Sequence, residues 1–222
     1  MGFGITREPG VDVIRVKICG VQDEASALVA AEAGASAVGL IFAPSRRQVG
    51  TARARRISDA LPPFVTRVGV VVNEPLERLR EIIDEARLDA VQLHGDETPE
   101  YCAAVREMRV TVIKAVPVLG PLDVERLRAL PVAAVLLDTH RAGQRGGTGE
   151  TFEWRYAGPI AAAMPVILSG GLTPENVGAA IASVQPYGVD VSSGVETGGQ
   201  KDPAKIRAFI SAARAAMLEA RS

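Results

Sequence analysis

The chain has 222 residues, of which 47% are hydrophobic, and 25 basic residues balance 26 acidic ones for a net charge of −1. A chain of this kind can bury a substantial core, but it carries no bulk charge with which to hold a nucleic acid or a membrane surface. Its two cysteines, Cys19 and Cys102, show neither a CxxC spacing nor a Cys/His cluster, which argues against a disulfide framework or a metal site and points to a reducing, cytoplasmic setting. No basic flank precedes an apolar stretch at the N-terminus, so a secretion signal is not expected. No apolar run reaches the ~18 residues of a membrane span.

Residues 1–12 read as a short N-terminal extension, and the pattern begins after them. RVKICG (15–20) precedes DEASALVAAEAG (23–34), which has acidic residues in its first turn and Gly34 past its end. AVGLIF (37–42) and TRVGVVV (66–72) follow. EPLERLREIIDEAR (74–87) then sets Leu79, Ile82, Ile83 and Ala86 at helical spacing behind Pro75. AVQLHG (90–95) leads to ETPEYCAAVREM (97–108), where Thr98 is placed to cap a helix at Pro99. VTVIKAV (110–116), AVLLDT (134–139) and PVILSG (165–170) come next. LTPENVGAAIASV (172–184) repeats the Thr-Pro start, and GVDVSS (188–193) precedes KDPAKIRAFISAARAAM (201–217), with Asp202 before Pro203. Eight strand-like runs alternating with helices predict an α/β fold with a parallel sheet, closed as an eight-stranded (β/α)8 TIM barrel over residues 13–222. An open doubly wound sheet is the alternative.

Side chains alternate faces along a strand. Lys17 and Cys19 therefore oppose Val16 and Ile18, Gln92 and His94 oppose Val91 and Leu93, Asp138 opposes Leu137, and Asp190 and Ser192 oppose Val189 and Val191. One face of each of these four strands is wholly apolar, as a covering helix layer requires. The other carries polar groups toward the C-terminal end, which in a barrel is the rim where the chemistry sits. An unsatisfied buried polar group costs roughly 1–3 kcal/mol, so these side chains predict a network or a ligand.

Each signal has a plainer reading. Cys19 is a small core hydrophobe or, with Lys17 one layer below, a thiol biased toward thiolate; Cys102, among alanines, reads as core. Asp138 is a loop anchor or an acid/base group. The glycine-rich loop at 140–150 is turn geometry or a lid. Arg46 and Arg47 are a solvated pair or a clamp for a substrate carboxylate. His94 is a satisfied strand-end histidine or a substrate contact, and no second histidine stands near enough to suggest a metal. SGGLTPEN (169–176) and SSGVE (192–196) follow the seventh and eighth runs, where barrels bind phosphate through backbone amides.

In order, VKICG, AVGLIF with SRRQV, RVGVVVN, AVQLHGDE, VIKAV, LLDT with GGTGETFEW, ILSGGLTPENV and GVDVSSGVE with KDPAKI resemble phosphoribosylanthranilate isomerase, from about residue 14 to about 212. The resemblance implies a (β/α)8 barrel of tryptophan biosynthesis that performs an Amadori rearrangement without metal or organic cofactor. It implies Asp138 as general acid, Cys19 as general base and Arg47 on the anthranilate carboxylate, with Arg46 as the alternative. Gln92, His94 and Asp190 would contact substrate, and Gly170, Gly171, Ser192 and Ser193 would bind its phosphate. The anionic substrate opposes a Cys19 thiolate, an effect that Lys17, Arg47 and helix N-termini are expected to offset. The implied partner is a small phosphorylated molecule, with no nucleic acid and no membrane, and the implied state is a monomer or homodimer. Rival readings are another phosphate-binding barrel enzyme, of the indole-glycerol-phosphate synthase or epimerase kind, an isomerase that also takes a histidine-pathway substrate, and a non-catalytic phosphate-binding barrel. The first needs lysine/glutamate or metal-binding histidine sets not evident here, and the second a pair of aspartates where this chain has Cys19.

Overall fold

Eight parallel strands close on themselves: β1 (Arg15–Cys19), β2 (Ala37–Ile41), β3 (Thr66–Val71), β4 (Ala90–Leu93), β5 (Thr111–Pro117), β6 (Ala134–Asp138), β7 (Val166–Ser169) and β8 (Gly188–Val191). The protein is described by a computed structural model covering residues 13–138 and 151–219. The N-terminal extension, His140 and the glycine-rich loop at 140–150 lie outside the described residues. Each strand pairs with its neighbours in the chain, and β8 returns to β1 through Val16↔Val189, Lys17↔Asp190 and Ile18↔Val191. That last ladder rules out the open doubly wound sheet.

The connecting helices are α1 (Glu24–Ala33), α2 (Thr51–Ala60), α3 (Leu76–Ala86), α4 (Pro99–Arg106), α5 (Val124–Arg128), α6 (Thr151–Ala163) and α7 (Val177–Val184), and α8 (Pro203–Glu219) follows β8. Their ends obey local chemistry. The side chains of Asp23, Thr98 and Asp123 accept from the backbone N–H of Ser26, Tyr101 and Arg126, and Asp202 accepts from Ala204 and Lys205. Such caps each contribute about 1 kcal/mol. α7 departs from the Thr-Pro expectation. Residues Pro174–Asn176 form a separate turn, the Asn176 side chain accepts from Thr173 N and donates to Gly171 O, and the helix begins at Val177. The turn chemistry shapes the loop after β7 before the helix can start.

Two apolar layers result. The large one lies between barrel and helices and includes Ile18, Leu40, Leu93, Leu137, Leu168 and Phe209. A separate cluster of Val68, Ala90, Ile113, Ala115, Ala134, Leu136 and Ile167 fills the lumen below the rim. This is the division that strand parity predicts.

Strand–helix alternation does not foresee a small antiparallel hairpin in the segment after β8. It pairs β9 (Glu196–Thr197) with β10 (Gln200–Lys201). Gly198 and Gly199 turn it with φ of 59° and 81°, the two positive values that a tight two-residue hairpin turn demands.

Candidate active site

β1 brings Lys17 and Cys19 into the lumen. Lys17 Nζ donates to Asp190 Oδ1 across the β1–β8 seam at 2.8 Å, and Ser169 Oγ donates to Asp190 Oδ2 at 3.3 Å. The pair is buried, with Lys17 4% and Asp190 5% exposed. Burial alone would depress the Lys17 pKa, but Asp190 and Cys19 outweigh it and hold the ammonium above its ordinary value. Cys19 is also buried, and burial pushes its thiol above the ordinary 9.0. Lys17 and Lys201 pull it back down while Asp190 pushes it further up. Lys17 thus acts in the expected direction, but it also pairs with Asp190, and burial prevails. Gly39 on β2 makes room for this corner, because a Cβ there would stand 2.8 Å from Cys19 Sγ and 3.2 Å from Lys17 Cε.

On β4, Gln92 Nε2 donates to His94 Nδ1 at 2.7 Å. That bond makes Nδ1 the acceptor and puts the ring proton of neutral His94 on Nε2, which lies 3.8 Å from Asp138 Oδ2 at the end of β6. Burial lowers the His94 pKa despite the opposing pull of Asp138, so the ring is neutral at pH 7. Gln92 Oε1 is buried without a hydrogen-bond partner among the described residues. An orphaned acceptor of this kind invites a donor from a ligand.

Sequence reasoning missed a second pair beneath this loop. Lys114 on β5 points away from the lumen and donates to the carbonyls of Gly95 and Ala115 at 2.8 and 2.9 Å, and its Nζ lies 3.2 Å from Glu97 Oε2. Glu97 accepts from the backbone N–H of Gly95 and of Asn73. The loops after β3 and β4 are thereby tied together, which fixes the chain next to His94. A lysine among valines on an outward strand face was the available signal.

The loops after β7 and β8 meet closely. Gly170 and Gly171 have φ of 91° and 67°. A Cβ at Gly194 would run into the carbonyl oxygen of Leu172, so only glycine lets the two loops touch there. Ser192 and Ser193 begin the second loop, and Ser192 Oγ is buried without a partner among the described residues.

Arg47 follows β2. Its stem lies across Gly20 at the tip of β1, where a Cβ would be 2.5 Å from Arg47 Cδ. Its Nε and Nη2 donate to Glu196 Oε1 and Oε2 at 2.6 and 3.0 Å. Arg46 and Lys201 donate to the same carboxylate at 2.7 and 2.9 Å. Burial pushes the Glu196 pKa up, but the hydrogen bonds from Arg47 and Lys201 bring it down to about 2. Both arginines are therefore tied to the hairpin. Glu196 and Lys201 were not singled out from sequence. The Gly-Gly dipeptide between two polar pairs was their one visible sign.

Cys19, Lys17, Gln92, His94, Asp138, Asp190 and the two glycine loops thus converge on one rim. Residues 16–212 match the family model described as N-(5'phosphoribosyl)anthranilate (PRA) isomerase. The chain belongs to this family. It is 52% identical over 204 residues to the N-(5'-phosphoribosyl)anthranilate isomerase of Desulforudis audaxviator, covering 91% of this chain and 98% of that one. Among solved structures it is similar to phosphoribosyl anthranilate isomerase from Thermotoga maritima, at 47% identity with a TM-score of 0.81, over 91% of this chain and 99% of the other. A further phosphoribosyl anthranilate isomerase structure, 44% identical with a TM-score of 0.77 over 91% and 99% of the two chains, is a complex with reduced 1-(o-carboxyphenylamino)-1-deoxyribulose 5-phosphate. No described helix is long and apolar enough to cross a membrane.

Proposed function

We propose that the chain is an intramolecular oxidoreductase of the aldose–ketose kind. It converts N-(5-phospho-β-D-ribosyl)anthranilate to 1-(2-carboxyphenylamino)-1-deoxy-D-ribulose 5-phosphate in tryptophan biosynthesis, by general acid–base catalysis without metal or organic cofactor. The observation that carries this reading is the order of groups around one rim. A thiol stands on β1, a carboxylate on β6, and the paired glycine loops follow β7 and β8, between them in the barrel. A phosphate held there places the sugar between a proton donor and a proton acceptor on separate strands, as an aldose–ketose shift requires.

Asp138 gives a proton to the ribose ring oxygen, the C1′–O bond breaks, and a Schiff base forms. Cys19 removes the C2′ proton, the electron pair moves into the C1′–C2′ bond, and the enolamine tautomerises to the ketone. Lys17 and Lys201 favour the Cys19 thiolate, and the burial that opposes it makes the thiolate a stronger base once formed. Gly170, Gly171, Ser192 and Ser193 hold the phosphate. Arg47 holds the anthranilate carboxylate, while Gln92, His94 and Asp190 line the sugar. The enzyme works in the cytoplasm, as a monomer or a homodimer, and residues 13–222 act as one catalytic domain.

The test follows the disappearance of substrate fluorescence. Cys19→Ser and Asp138→Asn should each lower kcat/KM by about 10²–10⁴-fold with the far-UV circular dichroism unchanged. Near-normal turnover in both variants would overturn the mechanism.

A further inference from the structure

We propose that Glu196 is a positioning residue: it holds one edge of the Arg47 guanidinium so that the opposite edge reads the carboxylate on the aromatic ring of the substrate. This rests on the isomerase reading above and names the part of the site that selects for the carboxylated ring.

A guanidinium has five N–H donors arranged on two usable edges. Glu196 occupies the edge made by Nε and Nη2, at 2.6 and 3.0 Å. The edge made by Nη1 and the second Nη2 proton has no partner among the described residues. Arg47 can therefore keep Glu196 and accept a second carboxylate at once. Its stem passes between the tip of β1 and the loop after β8, since the Cβ position of Gly20 is 2.5 Å from Arg47 Cδ and 3.2 Å from Ser192 Oγ. The strand of Cys19 and the loop proposed to hold phosphate thus flank the arginine on either side, so on the isomerase reading its open edge faces the neighbourhood of the substrate.

Glu196 is not a group that substrate must displace. Its side chain is 5% exposed and is shared by three cations, Arg46, Arg47 and Lys201. Lys201 also donates to Ser192 O at 2.9 Å, and Lys205 donates to Glu196 O at 2.8 Å. The carboxylate is built into the β9–β10 hairpin. It carries one negative charge against three positive ones, so the cluster keeps a net positive charge for an incoming anion. Arg47, at 18% side-chain exposure against 58% for Arg46, is the arginine held in place.

The experiment measures binding by calorimetry, without turnover. One ligand is reduced 1-(o-carboxyphenylamino)-1-deoxyribulose 5-phosphate, and the other is the same sugar phosphate built on aniline, which lacks the ring carboxylate. Glu196→Gln should cut the preference of the protein for the carboxylated ligand by about tenfold or more, the loss of one charge-assisted contact. Glu196→Asp keeps the charge but shortens the reach, so it should give an intermediate preference and serves as the second variant if the glutamine form does not fold. A merely structural role would weaken both ligands together, and an unchanged preference would overturn the proposal. Tighter binding of the carboxylated ligand to Glu196→Gln would overturn it too, by showing that Glu196 competes with substrate. A wild-type chain that binds neither ligand would overturn the isomerase reading and this inference with it.

Discussion

Cys19, the base in the proposed mechanism, is set by opposing forces, of which burial is the largest. Burial raises its pKa above 9.0, Lys17 and Lys201 lower it, and Asp190 raises it. In that mechanism the active form is the thiolate, so kcat/KM, which reports the free enzyme, should climb with pH on a limb whose midpoint lies above 9.0. A limb below neutral pH would exclude Cys19 as the titrating base. Lys17→Met removes an attraction for the thiolate and should move the limb higher still. It also leaves Asp190 buried without its cation, at a cost of about 3–5 kcal/mol, measurable as a lower urea midpoint. A double variant that also carries Asp190→Leu should recover most of that loss, because the penalty comes from the unpaired charge. Cys19 and Asp138 were legible in sequence because each ends an apolar run on the polar face of its strand. Glu196 was not, since its partner Arg47 lies 149 residues away, and no local pattern displays such a pair.

Among the elements, loops carry what strands cannot. The eight strands and most helices could be read from period, caps and prolines, and their ends agree to within a few residues. The β9–β10 hairpin could not, because two-residue strands have no period to detect and only Gly198–Gly199 hints at them. The start of α7 also escaped, because Asn176 bonds back into its own loop. The contact between the loops after β7 and β8 depends on Gly194. Gly194→Ala sets a methyl group against Leu172 O, forces the loops apart and should cost about 1–3 kcal/mol. If those loops hold the phosphate, the same variant should raise KM several-fold more than it lowers kcat. An unchanged KM in steady-state assays would place the phosphate elsewhere.

For the molecule as a whole, the barrel divides its labour by height. The apolar cluster from Val68 to Ile167 fills the lumen, and the titratable groups stand above it at the rim. β1 begins at Arg15 and the family match at residue 16, so the first twelve residues fall outside both. A chain beginning at Val13 should keep full turnover, and its unfolding free energy should stay within about 0.5 kcal/mol of the intact chain. A marked loss in either would make the extension part of the working enzyme.

The Lys17–Asp190 bond joins the first strand to the last, across 173 residues of chain. On a ribosome that adds about 5–20 residues per second, Asp190 is made roughly 9–35 s after Lys17. For that interval the lysine lacks Asp190, and burying it alone would be costly. The nascent chain has good reason to leave β1 undocked until synthesis is nearly done, so this strand is expected to settle late and to bring Cys19 into register only when the barrel shuts.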